Sequence, residues 1–87
     1  MTTIEWCRPS PGEILVTARG PLDSASRNLL RPIMLRAIAL RPERIVVRML
    51  GTQPFDATSR AMILSLAKRA RLARVALMVE ETDRVSH

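Results

Sequence analysis

Residues 45–50 read Ile-Val-Val-Arg-Met-Leu, a short and nearly continuous apolar run that is rich in β-branched side chains. A run of this length and composition, bounded by Pro42 and Gly51, is typical of a strand buried inside a sheet. Apolar residues recur every three or four positions on both sides of it, at residues 24–40 and 57–72, which predicts a helix in each place. A buried strand between two helices indicates an α/β fold with parallel strand pairs.

Two more strands precede the first helix, and one follows the second. Residues 3–19 contain two extended stretches around a Pro-Gly turn, which predicts an opening hairpin. Residues 75–79 are predicted to be the last strand, and the polar residues 80–87 a frayed tail. The sequence therefore predicts one domain over residues 1–87, an α/β fold of order β-β-α-β-α-β whose mixed sheet has helices packed on one face.

Pro32 interrupts the first predicted helix. A proline inside a helix removes one backbone hydrogen bond, and its ring presses on the carbonyl of Asn28. We therefore expect the helix over residues 24–40 to be kinked at Pro32 or divided into two short helices.

Composition narrows the classes of function. The 87 residues include 14 Lys and Arg against 8 Asp and Glu, a net charge of +6, which suggests an anionic partner such as nucleic acid. However, Trp6 and Phe55 are the only aromatic residues, too few for a base-stacking platform, and we expect both to pack in the core or in the hairpin. A single Cys and a single His exclude a Cys/His metal site within one chain. The sequence has neither an apolar run long enough to span a membrane nor a signal peptide, so we expect a cytoplasmic protein.

Two segments between a predicted strand and a predicted helix form the candidate site. They are Gly20-Pro21-Leu22-Asp23 and Phe55-Asp56-Ala57-Thr58-Ser59. Loops that leave the carboxyl ends of parallel strands meet at one edge of a sheet, so we expect Asp23 and Asp56 to lie near each other. The alternative is that both aspartates only cap helices. We found no nucleophile elbow, phosphate-binding loop or dinucleotide motif, so neither an enzyme nor a cofactor is predicted.

These segments resemble the STAS domain, a family named for sulphate transporters and anti-sigma factor antagonists. Residues 20–23 match the G-x-L-D motif of the family, and residues 56–59 are similar to its D-S-[ST]-G segment. The resemblance implies a non-catalytic regulator that binds an anti-sigma factor or a kinase-like protein. It places the partner-binding residues at Asp23, Asp56, Ala57, Thr58, Ser59, Arg60, Met62 and Ile63.

The sequence departs from the family pattern in four ways, one of which is that Ser59 stands at the position of the family's glycine. Ala57 stands at the position of the Ser that family members phosphorylate, so Thr58 or Ser59 would have to be the phospho-acceptor, unless Thr58 only caps the helix. Arg48 stands where family members often carry Asp, and we expect it to lie beside the two aspartates. The family usually continues with another helix, which implies a shortened domain that a second copy of the chain could complete.

Two other functions stay open. The chain also resembles STAS-like accessory subunits of lipid-transport ATPases, some of which use a Thr beside the same loop. Direct nucleic-acid binding is a further alternative, through Arg27, Arg31, Lys68, Arg69 and Arg71. Charged helix faces are most often only solvated, so we rank nucleic acid below an acidic protein surface as the partner.

Overall fold

A computed structural model, which describes residues 1–51 and 56–82, contains one four-stranded sheet and two helices. Along the chain the elements are β1 (Thr3–Ser10), β2 (Glu13–Arg19), α1 (Ser24–Ala39), β3 (Arg44–Leu50), α2 (Ala57–Leu72) and β4 (Ala76–Thr82). The strands lie in the order β1-β2-β3-β4, with β1 antiparallel to β2 and the other neighbours parallel. The predicted α/β fold and its β-β-α-β-α-β order are confirmed.

The direction of the crossovers determines which face of the sheet the helices cover. The chain moves from β2 through α1 to β3, and from β3 through α2 to β4, in the same direction across the sheet. Because such crossovers are right-handed, both helices lie on one face, as predicted. The strand side chains beneath them are at most 1% exposed, and they are Ile14, Val16, Ala18, Ile45, Val47 and Met49. Burial of each of the larger ones contributes about 1.5–3 kcal/mol.

The opposite face of the sheet carries the alternate side chains of the same strands. Leu15, Val46 and Met78 form one row across it, because Leu15 pairs with Val46 and Val46 with Met78. Val46 is only 7% exposed, although neither helix lies on this face. The side chains of neighbouring strands therefore shield the centre of this face by themselves.

Helix α1 runs without a break through Pro32, so the alternative of two short helices is wrong. Pro32 and Asn28 are both exposed. The carbonyl that loses its hydrogen bond to the proline therefore lies on the side of the helix where water can satisfy it. Within the described ranges, neither helix has the length and apolar character needed to cross a bilayer.

Strand β4 reaches Thr82, so residues 80–82 are not part of a frayed tail. Glu80 and Glu81 pair with Arg48 and Met49 of β3, and this parallel ladder keeps polar residues in a strand. The remainder of the predicted tail, residues 83–87, lies outside the described residues, as does Phe55. Trp6 is 53% exposed on the hairpin strand β1, so it does not pack in the core, which was one of its two expected places.

Each helix is followed by an arginine in the left-handed backbone conformation, with φ of 53° at Arg41 and 63° at Arg74. After α2, the N–H of Arg74 donates to the carbonyl of Arg71 (3.0 Å), and the N–H of Val75 donates to that of Ala70 (2.9 Å). These two bonds form a Schellman motif, in which glycine is the usual left-handed residue. Arg74 therefore adopts a backbone conformation that is costly for a residue with a Cβ atom.

Candidate functional site

The two helices begin with the same arrangement, an aspartate followed three residues later by a buried serine. Asp23 Oδ1 accepts a hydrogen bond from the N–H of Ser26 (3.0 Å), and Asp56 Oδ1 accepts one from the N–H of Ser59 (2.8 Å). Ser26 is 2% exposed and Ser59 is fully buried. Both aspartates therefore cap a helix, and each cap fixes the backbone at the start of that helix. Whether they only cap helices stays a prediction.

A set of polar contacts, which we name the Ser59 bridge, joins the two helix starts. Arg27 Nη1 on α1 donates to Ser59 Oγ on α2 (3.0 Å), and Ser59 Oγ donates to the carbonyl of Leu22 (3.3 Å). Arg27 Nη1 also lies 3.6 Å from Asp56 Oδ2. The bridge therefore consists of Leu22, Arg27, Asp56 and Ser59, and it brings the starts of α1 and α2 together at one end of the sheet.

The two capping carboxylates are stabilised in their charged form. The N–H and the hydroxyl of Ser26 both bond to Asp23, and they lower the pKa of its carboxyl below the ordinary value of 3.8. The pKa of Asp56 is lowered by the N–H of Ser59 first, then by the Ser59 side chain and the charge of Arg27. Both carboxylates carry a full negative charge at neutral pH, where each also interacts favourably with its helix dipole.

The predicted partner-binding residues divide into an exposed and a covered group. Ala57, Thr58 and Arg60 are exposed on the first turn of α2, next to the exposed Asp56, and Asp23 is exposed at the start of α1. Ser59 is fully buried, while Met62 and Ile63 are half-buried, with Met62 packed against the core. A partner can therefore reach the first turn of α2 directly, whereas Met62 and Ile63 offer it only part of their surface.

Arg48 does not lie beside the two aspartates, so that expectation is wrong. Its Nε donates to Glu80 Oε1 at 3.1 Å, on the face of the sheet away from the helices. The reason is strand alternation, because Val47 and Met49 point toward the helices and Arg48 between them must point away. The cation near Asp56 is Arg27 instead.

Ser26 and Arg27 contribute to this site but were not predicted from the sequence. An Asp followed by Ser three positions later has the spacing of a helix N-cap, which could have identified Ser26 and Ser59. At α1 the bond is reciprocal, since the N–H of Asp23 donates to Ser26 Oγ (2.8 Å). No local pattern could have identified Arg27, because its contact with Ser59 joins residues 32 positions apart.

The polar side chains at this end of the molecule are engaged with one another. Among residues 1–51 and 56–82, no three acidic, His or Cys side chains are grouped so that they could hold a metal ion. The Ser59 hydroxyl is already engaged with Arg27 and Leu22. A cleft of about 440 Å³ lies elsewhere, between Trp6 and the second half of α1 near Arg36. The first turn of α2 is exposed at this end of the molecule.

Comparison with known proteins supports the fold. No protein-family model and no curated protein matches the chain. Among solved structures, a crystal structure of Mglu is similar to 97% of this chain, with a TM-score of 0.72 and 15% identity. A structure of Mglu in its native form is similar to 90% of this chain, with a TM-score of 0.72 and 11% identity. Mglu in its L-glutamate binding form is similar over 94%, with a TM-score of 0.72 and 9% identity. The chain spans only 20%, 23% and 27% of those three chains, so the likeness concerns the fold of one part of Mglu.

Proposed function

We propose that this chain is a non-catalytic, cytoplasmic regulator of the anti-sigma factor antagonist type, which binds an anti-sigma factor or a kinase-like protein through the start of α2. The observation that supports this most is the Ser59 bridge, because it joins the starts of the two helices while leaving Ala57 and Thr58 exposed. These are the positions at which the STAS resemblance implies partner binding. A surface that is fixed before binding loses less conformational entropy when the partner docks.

Regulation of this docking differs from the usual Ser switch, because Ala57 has no hydroxyl group. Thr58 is exposed on the first turn of α2, where a phosphate would add about −1.5 to −2 charges. Ser59 is less accessible, since a kinase could reach its buried hydroxyl only after the helix start had opened. Phosphate mapped to Thr58 by mass spectrometry, after incubation with the kinase-like partner and ATP, would support a switch. Its absence from Thr58 and Ser59 would indicate constitutive binding.

The experiment that tests the proposed function is a calorimetric titration with a kinase-like anti-sigma factor encoded beside the gene. Ala57→Asp places a carboxylate on the docking surface and should weaken binding about tenfold or more, because a charge that is desolvated in an interface without a partner is costly. Ala39→Asp is the control, since Ala39 is an exposed alanine at the C-terminal end of α1, away from the docking surface. No binding by the wild type, or equal weakening by both variants, would overturn the proposal.

A second candidate function is that of an accessory subunit of a lipid-transport ATPase complex. Some of these subunits use a Thr beside the same loop, and the exposure of Thr58 favours this function. Co-expression with an ATPase subunit from the same cell would separate the two functions. The ATPase complex would be favoured by two results together. The chain forms a stoichiometric complex with the ATPase subunit that Thr58→Arg disrupts, and it does not bind the kinase-like protein.

A further inference from the structure

One face of α2, which we name the α2 ridge, combines exposed leucines with cations. Leu64 is 64% exposed and Leu72 is 79% exposed, and Lys68 lies one turn from each. Arg71 is exposed beside them, and the ridge is defined by these four residues. Their spacing gives one stripe about 12 Å long, on the side of the helix opposite the buried Leu66.

The charge around the α2 ridge has a single sign. All charged residues inside the two helices are basic, and they are Arg27, Arg31, Arg36, Arg60, Lys68, Arg69 and Arg71. Within residues 1–51 and 56–82, neither Lys68 nor Arg71 forms an ion pair with an acidic side chain. The ridge therefore presents cations whose charge the described part of the chain does not neutralise.

We propose that the α2 ridge binds the surface of an anionic phospholipid bilayer. Leu64 and Leu72 enter the boundary between headgroups and acyl chains, and the ends of Lys68 and Arg71 stay among the phosphates. The helix lies flat on the surface, because its opposite side is packed on the sheet. The binding is peripheral and reversible, since two leucines and a few cations give only a modest affinity.

The bilayer fits the α2 ridge better than the other anionic surfaces do. A nucleic-acid backbone offers phosphates to the cations but no apolar environment for two leucines that are more than half exposed. An acidic protein would need separate recesses for Leu64 and Leu72, which lie eight positions apart with a cation between them. A bilayer supplies negative charge and hydrocarbon at every point along a flat surface, so it needs no matching shape.

Co-flotation of the full chain with lipid vesicles tests this inference. The vesicles contain phosphatidylcholine alone, or phosphatidylcholine with about one-third phosphatidylglycerol. We expect the wild type to float only with the anionic vesicles, and to bind them less in about 0.5 M salt than in about 0.05 M salt. Lys68→Gln and Arg71→Gln should each weaken binding about fivefold, and Leu64→Ser with Leu72→Ser should weaken it about tenfold or more.

Matched controls come from α1, where Leu29 is 55% exposed and Arg36 is exposed. Leu29→Ser and Arg36→Gln should leave vesicle binding within about twofold of the wild type, since neither lies on the α2 ridge. Circular dichroism should show that every variant is folded. The proposal is overturned if the anionic vesicles do not bind the wild type, or if the controls weaken binding as much as the ridge variants. The proposal also fails if the Leu64→Ser, Leu72→Ser protein binds anionic vesicles as well as the wild type does. If that protein binds vesicles normally but no longer binds its acidic protein partner, the α2 ridge binds the protein and not the bilayer.

Discussion

Replacing Ser59 with alanine removes the side chain that joins the two helix starts. The substitution deletes the bond from Arg27 Nη1 (3.0 Å) and the bond to the Leu22 carbonyl (3.3 Å), and it keeps the N–H bond to Asp56. A neutral hydrogen bond contributes about 1 kcal/mol net, and one from a charged donor about 1.5–3 kcal/mol. Because Arg27 is 18% exposed and remains close to Asp56, water and the carboxylate replace part of the lost bond. We therefore expect the free energy of unfolding to fall by about 2 kcal/mol.

Thermal and urea unfolding, followed by circular dichroism, measure this change. For a domain of this size, a loss of about 2 kcal/mol lowers the melting temperature by about 8–16 °C. Ser65→Ala is the control, because Ser65 lies on the same helix and is exposed. We expect the control to change the free energy of unfolding by no more than about 0.5 kcal/mol.

Equal stability of the Ser59→Ala and Ser65→Ala proteins would mean that the Ser59 bridge does not hold the two helix starts together. The proposed function would then lose the observation that most supports it.

Three further predictions concern backbone conformation and pH. Arg74→Gly should raise the free energy of unfolding by about 0.5–1 kcal/mol in urea titrations, because glycine adopts the left-handed conformation at φ 63° without strain. Gly20→Ala should lower the free energy of unfolding by about 2 kcal/mol, since φ is 110° and a Cβ atom would lie 2.9 Å from a backbone oxygen. Gly51→Ala should lower it by only about 1 kcal/mol, because φ is 70° but the space around the position is open. The lowered pKa values of Asp23 and Asp56 give stability that is present above the ordinary pKa of 3.8 and is lost as the pH falls through the folded-state pKa. Urea midpoints between about pH 5 and about pH 2.5 should therefore fall less steeply in the Asp23→Asn and Asp56→Asn proteins, and an unchanged slope would contradict this.

Most of the fold could be predicted because its signals are local. Buried strands such as β3 are short apolar runs, and both helices have apolar residues at helical spacing. The extension of β4 could not be predicted, because Glu80 and Glu81 are polar and become strand residues only through pairing with β3. The exposure of Trp6 was missed for a related reason, since it depends on how far α1 covers the edge strand β1.

The helix N-caps of the candidate site could be predicted from the sequence, whereas the contact between the two helices could not. Asp23 and Asp56 stand at the starts of amphipathic stretches, and this placement is a local signal for N-caps. The face of the sheet on which Arg48 lies follows from strand alternation once the buried positions of β3 are known. Its position away from the two aspartates could therefore have been predicted. The contact of Arg27 with Ser59 depends on the packing of α1 against α2, which the sequence pattern does not encode.

The most direct test of the proposed function is to map the partner onto the protein by NMR. Amide chemical shifts of the ¹⁵N-labelled chain would be followed while the kinase-like anti-sigma factor is added. We expect the largest changes at Ala57, Thr58 and Arg60, with little change at Leu15 and Met78 on the helix-free face of the sheet. Saturable changes centred on that face, or none at the start of α2, would contradict it.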